Sequence, residues 1–160
     1  MMESTQLALL HAGAFCAIFF ASLGSSYGCG VAAASAIGAW KKCYVQGKMA
    51  PFQLAILTGV PMSQTIYGLI LMLMLAGKSS TPECWVACLV IGVLGGIAIG
   101  LSAAYQGRAA AGACDAFGDT GQGFVNYLIA LGVIETIAIF VMVFAIMLLA
   151  QVGVAPAAAA

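Results

Sequence analysis

The sequence predicts an all-α membrane protein with four transmembrane helices, arranged as two tandem hairpins. Hydrophobic residues make up 64% of the chain and charged residues only 6%, whereas a soluble domain carries about 25% charged residues. The charges are clustered, and long uncharged stretches lie between them. About 20 mostly apolar residues are needed to cross the hydrocarbon core as a helix. Four stretches therefore qualify as spans: roughly 6–40, 51–77, 84–113 and 123–150.

Short connections join the spans in pairs, which predicts a first hairpin over residues 6–77 and a second over residues 84–150. No basic region precedes the first span, and it is too long for a cleavable signal peptide, so we expect it to be retained. The connection at 41–50 contains three lysines, whereas that at 78–83 balances one lysine with one glutamate. The positive-inside tendency predicts that 41–50 and 114–122 are cytoplasmic and that both termini face outward, as in a multi-pass protein of the cell membrane.

The two hairpins also resemble each other in sequence. Residues 60–67 align without a gap with residues 131–138, which places Gln64 opposite Glu135. An internal repeat of this kind indicates that one hairpin was duplicated. The carboxylate is present only in the second copy.

Stripes of small residues run along the first and third spans at four-residue spacing: Gly24, Gly28, Ala32 and Ala36, and Gly92, Gly96, Gly100 and Ala104. Small residues let helix backbones approach closely in a membrane. Two arrangements fit the stripes, namely close packing inside one chain or a tight inner wall built from many copies. The spacing does not separate them.

Glu135 lies near the middle of the fourth span and is the most informative single residue. A carboxylate at that depth costs several kcal/mol unless it is protonated, paired or bound to a cation. Intramembrane carboxylates are functional more often than structural, so we interpret Glu135 as the working group. The structural alternative is a protonated side chain bonded to a backbone carbonyl.

The second span supplies a polar face that matches this carboxylate. Val60, Ser63, Gln64 and Tyr67 stand at i, i+3, i+4 and i+7 and therefore line one stripe of a helix. Pro61 removes a backbone hydrogen bond and should distort the preceding turn. Exposed carbonyls at membrane depth are tolerated where protein or an ion satisfies them.

One negative charge surrounded by neutral oxygens favours a bare monovalent cation. Gln106 in the third span adds another amide oxygen to the set. A divalent ion would leave an uncompensated charge at low dielectric, and a proton needs only the carboxylate. The glutamines therefore favour sodium over a proton. Their alternative is hydrogen bonding between helices.

At this point the chain resembles the duplicated proteolipid, the c or K subunit, of V-type ATPases, and specifically the sodium-translocating bacterial form. Val-Pro-Met-Ser-Gln-Thr-Ile-Tyr-Gly at 60–68 is similar to the family's Pro-x-[Thr/Ser]-Gln-x-x-Tyr-Gly stretch. Tyr-Gln-Gly-Arg at 105–108 and Val-Ile-Glu-Thr at 133–136 resemble two further family stretches. The resemblance implies sodium ligands from Glu135, Gln64, Gln106, Ser63 and the Val60 carbonyl, with Tyr67 hydrogen-bonded to Glu135 to lock the site.

The same resemblance implies a non-catalytic subunit that works in a rotary ATPase. About ten copies would form a homo-oligomeric rotor ring in the lipid. ATP hydrolysis in a soluble head would turn this ring, through a central stalk, against a static membrane subunit. An essential arginine of that partner would displace the ion from Glu135.

Two other functions stay open from the sequence. The first is a proton-carrying ring of a V/A-type ATPase, and the second is a structural or channel-forming proteolipid without transport. An enzyme is disfavoured because no nucleophile–base pair or phosphate loop is present, and the zero net charge gives no indication of nucleic acid. We interpret the six cysteines as packing residues and His11 as interfacial. The tail at 155–160 is expected to be a disordered or fraying end.

Overall fold

A computed structural model describes residues 2–152 of the chain. It contains five α-helices: α1 (Met2–Val45), α2 (Gln53–Gly59), α3 (Ser63–Ala76), α4 (Trp85–Thr120) and α5 (Phe124–Gln151). Short 3-10 turns lie at Val60–Met62, Gly77–Ser80 and Pro82–Cys84. These elements form four helical stretches that are long and apolar enough to cross a membrane, and no strand occurs between residues 2 and 152. The all-helical fold class is thereby confirmed, while the prediction for the 155–160 tail lies outside the described residues.

The second span is interrupted at its proline, as the sequence predicted. Helix α2 ends at Gly59, the turn Val60–Met62 follows, and α3 begins at Ser63. Pro61 has no N–H to donate and cannot continue the α-helical ladder. The interruption places the backbone carbonyl of Val60 beside the polar face of α3, where the Ser63 hydroxyl bonds to it.

The helices extend further than the sequence predicted, and the connections are correspondingly shorter. Half of the expected loop at 41–50 and most of that at 114–122 are helical, because α1 continues to Val45 and α4 to Thr120. The connection between α4 and α5 is reduced to residues 121–123, and Gly121 ends α4 with a left-handed φ of 66°. At about 1.5 Å per residue, α1 and α4 are longer than the hydrocarbon core is thick.

Ion pairing between α1 and α4 explains why Lys42, Asp115 and Asp119 belong to helices and not to loops. The Lys42 amine lies 3.1 Å from the Asp115 carboxylate and 3.3 Å from that of Asp119. These contacts join the last turns of α1 to those of α4. Charges that were interpreted as loop residues are instead the solvated ends of two long helices.

Helices α1 and α4 approach each other along their glycine stripes. A Cβ atom added at Gly24 would overlap the backbone of Gly100, and one added at Gly107 would overlap the backbone of Gly28. The stripes therefore serve close packing within one chain. Helices α3 and α5 flank this inner pair. Helix α5 packs on the bundle through its buried residues Leu131, Ala138, Ala145 and Leu149.

The opposite end of the bundle is tied by a second lysine. The Lys78 amine donates to the Val152 carbonyl at 3.0 Å, at the C-terminal end of α5. A cation at a helix C-terminus also interacts favourably with the helix dipole. The 77–84 connection and the end of α5 consequently lie together, away from the 46–52 and 121–123 connections.

Candidate functional site

A belt of polar groups crosses the middle of the bundle between two apolar clusters. The buried polar side chains of the described residues all belong to this belt: Ser25, Gln64, Ser102 and Gln106. The cluster on one side includes Leu71 and Ile99, and the cluster on the other includes Leu57 and Leu131. Buried polar groups are stable only when they are paired, so the contacts in this belt define the candidate site.

Glu135 is directed into the belt from α5. It lies between Leu131 and Ala138 on the side of α5 that faces the bundle, and its side chain is partly buried. The Tyr67 hydroxyl donates to carboxylate Oε1 at 2.7 Å. The amide of Gln106 makes a longer contact of 3.5 Å with Oε2. Both oxygens of the carboxylate are therefore held by groups from other helices.

The two glutamines form the centre of the network. Gln64 Nε2 donates to Gln106 Oε1 at 2.7 Å, and neither side chain is exposed. Gln106 Nε2 in turn donates to the Leu131 carbonyl at 2.9 Å. A glutamine amide carries both donors and an acceptor, which lets Gln106 connect α3 to α5 across α4.

Ser63 completes the network on the side of the proline turn. Its hydroxyl lies 3.1 Å from the Val60 carbonyl and 3.2 Å from Gln64 Oε1. The structure thus brings together all six residues that the sequence singled out, in one chain of hydrogen bonds from Val60 to Tyr67 through Glu135. Hydrogen bonding between helices, the alternative interpretation of the glutamines, is present between Gln64 and Gln106, and their binding of an ion stays a prediction.

Ser102 is a further member of the site that the sequence interpretation missed. Its hydroxyl donates to the Ile134 carbonyl at 3.0 Å, directly before Glu135 in the chain. Ser102 precedes Gln106 by four residues and so shares its helix face. A polar residue one turn before Gln106, inside a stripe of small residues, was the signal available.

The donor set consists of oxygen and amide groups. Among residues 2–152, no group of three or more histidine, cysteine, aspartate or glutamate side chains converges as a metal cluster. The belt offers one carboxylate, two amide oxygens, hydroxyls and the Val60 carbonyl. Oxygen groups with a single negative charge could serve as ligands for a small cation.

Comparison with known proteins gives part of this site a family context. Residues 89–148 match a family model for the C subunit of ATP synthase. The matched segment includes Gln106 and Glu135, whereas Gln64 and its neighbours lie before it. No curated protein matches the chain. The second hairpin is thus similar to the ATP synthase C subunit, which supports a membrane proteolipid of that family.

Proposed function

We propose that this protein is the rotor-ring subunit of a V-type ATPase and that it carries sodium ions on Glu135 across the membrane. The observation that supports the proposal most directly is the hydrogen-bonded set around Glu135, to which two transmembrane amides contribute. A subunit of this kind is not an enzyme by itself. It supplies the ion site, and ATP hydrolysis takes place in a separate soluble head.

Sodium is favoured over a proton by the number of oxygens near the carboxylate. A proton requires only Glu135 and one hydrogen-bond partner, such as Tyr67. The two buried glutamines and Ser63 would then have no function in transport. A desolvated sodium ion needs several oxygens to replace its water shell, and Gln64, Gln106, Ser63 and the Val60 carbonyl offer them at the same depth as Glu135.

The mechanism follows from electrostatics. Glu135 and one bound sodium ion sum to zero charge, so the loaded site can face lipid without moving a net charge through hydrocarbon. An arginine on the static membrane subunit would form a pair with Glu135 and displace the ion. Because Glu135 is only partly buried on the outermost helix, it is accessible to such a partner from the side.

The replacement of a second carboxylate by Gln64 sets the ion stoichiometry. One ion is carried for every four helices, so fewer ions move for each ATP than in a ring with a carboxylate in every hairpin. Fewer ions per ATP permit a steeper gradient, which suits a pump. The ends that contain the 46–52 and 121–123 connections would face the cytoplasm and contact the central stalk.

The test is labelling of Glu135 with a hydrophobic carbodiimide, which reacts with protonated carboxyl groups in the membrane. Purified rings are labelled at neutral and alkaline pH with and without millimolar sodium, and the modified peptide is quantified by mass spectrometry. We expect sodium to protect Glu135. Equal labelling in both conditions refutes sodium and leaves a proton-carrying ring. The exposed Glu83, in the connection at the other end of the bundle, should stay unlabelled in both conditions and is the negative control.

A second measurement separates transport from a structural proteolipid. Native mass spectrometry of complexes extracted in mild detergent reports whether a soluble ATPase head travels with the ring. A ring with a head supports ATP-driven transport, and a ring that never copurifies with one supports the structural alternative.

A further inference from the structure

Ser25 is the one buried polar side chain of the belt that has no hydrogen-bond partner. Its residue is 4% exposed, and its hydroxyl oxygen contacts no donor or acceptor among the described residues. A buried hydroxyl without a partner is unfavourable, and an alanine would pack in the same space without that penalty. The position of Ser25 relative to the ion site suggests what the hydroxyl does.

The contacts between α1 and the second span fix that position. A Cβ atom at Gly68 would contact Ala21, and a Cβ atom at Gly28 would approach Pro61. Ser25 is four residues from Ala21 and three from Gly28 on the same face of α1. On the second span, Gln64 has the same spacing from the residues that face these two: it is four residues from Gly68 and three from Pro61. Because the two helices are antiparallel, these equal spacings place Ser25 opposite Gln64.

The amide of Gln64 is oriented with its nitrogen toward a predicted ligand. Its Nε2 donates to Gln106 Oε1 at 2.7 Å, while its Oε1 faces the Ser63 hydroxyl at 3.2 Å. A cation bound to Gln106 Oε1 would be repelled by amide hydrogens directed at the same oxygen. Rotation of the amide directs Gln64 Oε1 toward the cation and brings the nitrogen to the side of Ser63, whose hydroxyl can accept one of the two amide hydrogens. The second amide hydrogen then requires another acceptor.

We propose that Ser25 is this acceptor, and that its hydroxyl positions the Gln64 amide with the oxygen toward the bound sodium ion. Ser25 is a positioning residue, since it acts on the cation through Gln64. The inference rests on the proposed function, because it assigns how one ligand of the sodium site is oriented. It also accounts for a buried hydroxyl that the packing of α1 does not require.

The experiment measures the sodium concentration that gives half-maximal protection of Glu135 from carbodiimide, on assembled rings of the wild type and of Ser25→Ala. We expect about a five-fold higher concentration for Ser25→Ala, the factor that corresponds to one neutral buried hydrogen bond. Labelling without sodium should equal that of the wild type, because Ser25 does not contact Glu135. The matched control is Ser26→Ala, which removes an exposed hydroxyl from the adjacent position and should change neither value.

Ser25→Thr distinguishes the effect of losing the hydroxyl from the effect of changed packing, because threonine retains the hydroxyl. We expect this variant to need less sodium than Ser25→Ala. An unchanged half-protecting sodium concentration in Ser25→Ala overturns the inference while the proposed function stands. An equal rise of this concentration in the alanine and threonine variants does the same. Absence of sodium protection in the wild type overturns the proposed function and this inference together.

Discussion

Replacement of the two buried glutamines, singly and together, distinguishes their structural contribution from ion binding. Gln64 and Gln106 share a 2.7 Å hydrogen bond, and neither is exposed to solvent. Gln106→Leu retains the side-chain volume but leaves the Gln64 nitrogen buried without an acceptor. An unsatisfied buried amide costs about 1–3 kcal/mol, so we expect this variant to lower the free energy of unfolding by about 2 kcal/mol.

The double variant Gln64→Leu/Gln106→Leu should behave differently from the sum of its parts. When both partners of a buried hydrogen bond become apolar groups of similar shape, the net change in stability is close to zero. We therefore expect the double variant to lose less stability than the two single losses added together. Part of the loss remains, because the bonds of Gln106 to the Leu131 carbonyl and Glu135 are absent from the double variant too. The double variant should not recover sodium protection of Glu135, since two of the proposed ligand oxygens are absent.

The assay combines two measurements on the same preparations. Unfolding of the detergent-solubilised protein in denaturant gives stability, and carbodiimide protection gives sodium binding. A double variant as unstable as the two single losses added together would show that the bond between the glutamines is not the origin of the loss. Sodium protection that survives in the double variant would remove both glutamines from the ligand set.

Three further predictions follow from individual contacts. Glu135→Gln should abolish transport in reconstituted vesicles while rings still assemble in native mass spectrometry; retained pumping removes Glu135 from the mechanism. Ser102→Ala should raise the half-protecting sodium concentration about five-fold, because it removes the bond that holds the backbone beside Glu135. Its control is Ser35→Ala, which loses a similar bond to Ala111 outside the belt and should leave that concentration unchanged. Gly24→Ala should destabilise the protein by about 1–3 kcal/mol in denaturant titrations, since its methyl group overlaps backbone, and Gly30→Ala, with open space around it, should stabilise α1 by about 0.5–1 kcal/mol.

The sequence was sufficient to predict the four helical spans and the helix face that the polar groups share. Composition and length identify membrane helices because the hydrocarbon core excludes charge. Helical spacing placed Val60, Gln64 and Tyr67 on one face, and the structure has them there. Pro61 could be interpreted before the structure because a proline inside a helix has one physical effect, the loss of a donor.

Other features depended on how the helices are rotated against one another, which spacing alone does not determine. Ser102 and Ser25 sit in stripes of small residues, where a serine packs as well as an alanine. Only the position of Ile134 on the neighbouring helix shows what the Ser102 hydroxyl reaches, and the proposal for Ser25 likewise depends on where Gln64 lies. The ends of α1 and α4 were predicted too short for a related reason, since Asp115 and Asp119 find their cation, Lys42, on a helix that is distant in sequence.

The lysine contacts at the two ends of the bundle have a mechanical consequence. Lys42 fastens α1 to α4 at one end, and Lys78 fastens the first hairpin to the last residues of α5 at the other. Between these two lysine contacts, the backbones at Gly24 and Gly100 are in direct contact and leave no room for α1 to slide along α4. A force applied at the connections would therefore be transmitted as shear through a stiff pair of helices. The more loosely packed α5 would be the compliant part if Glu135 meets the proposed static subunit.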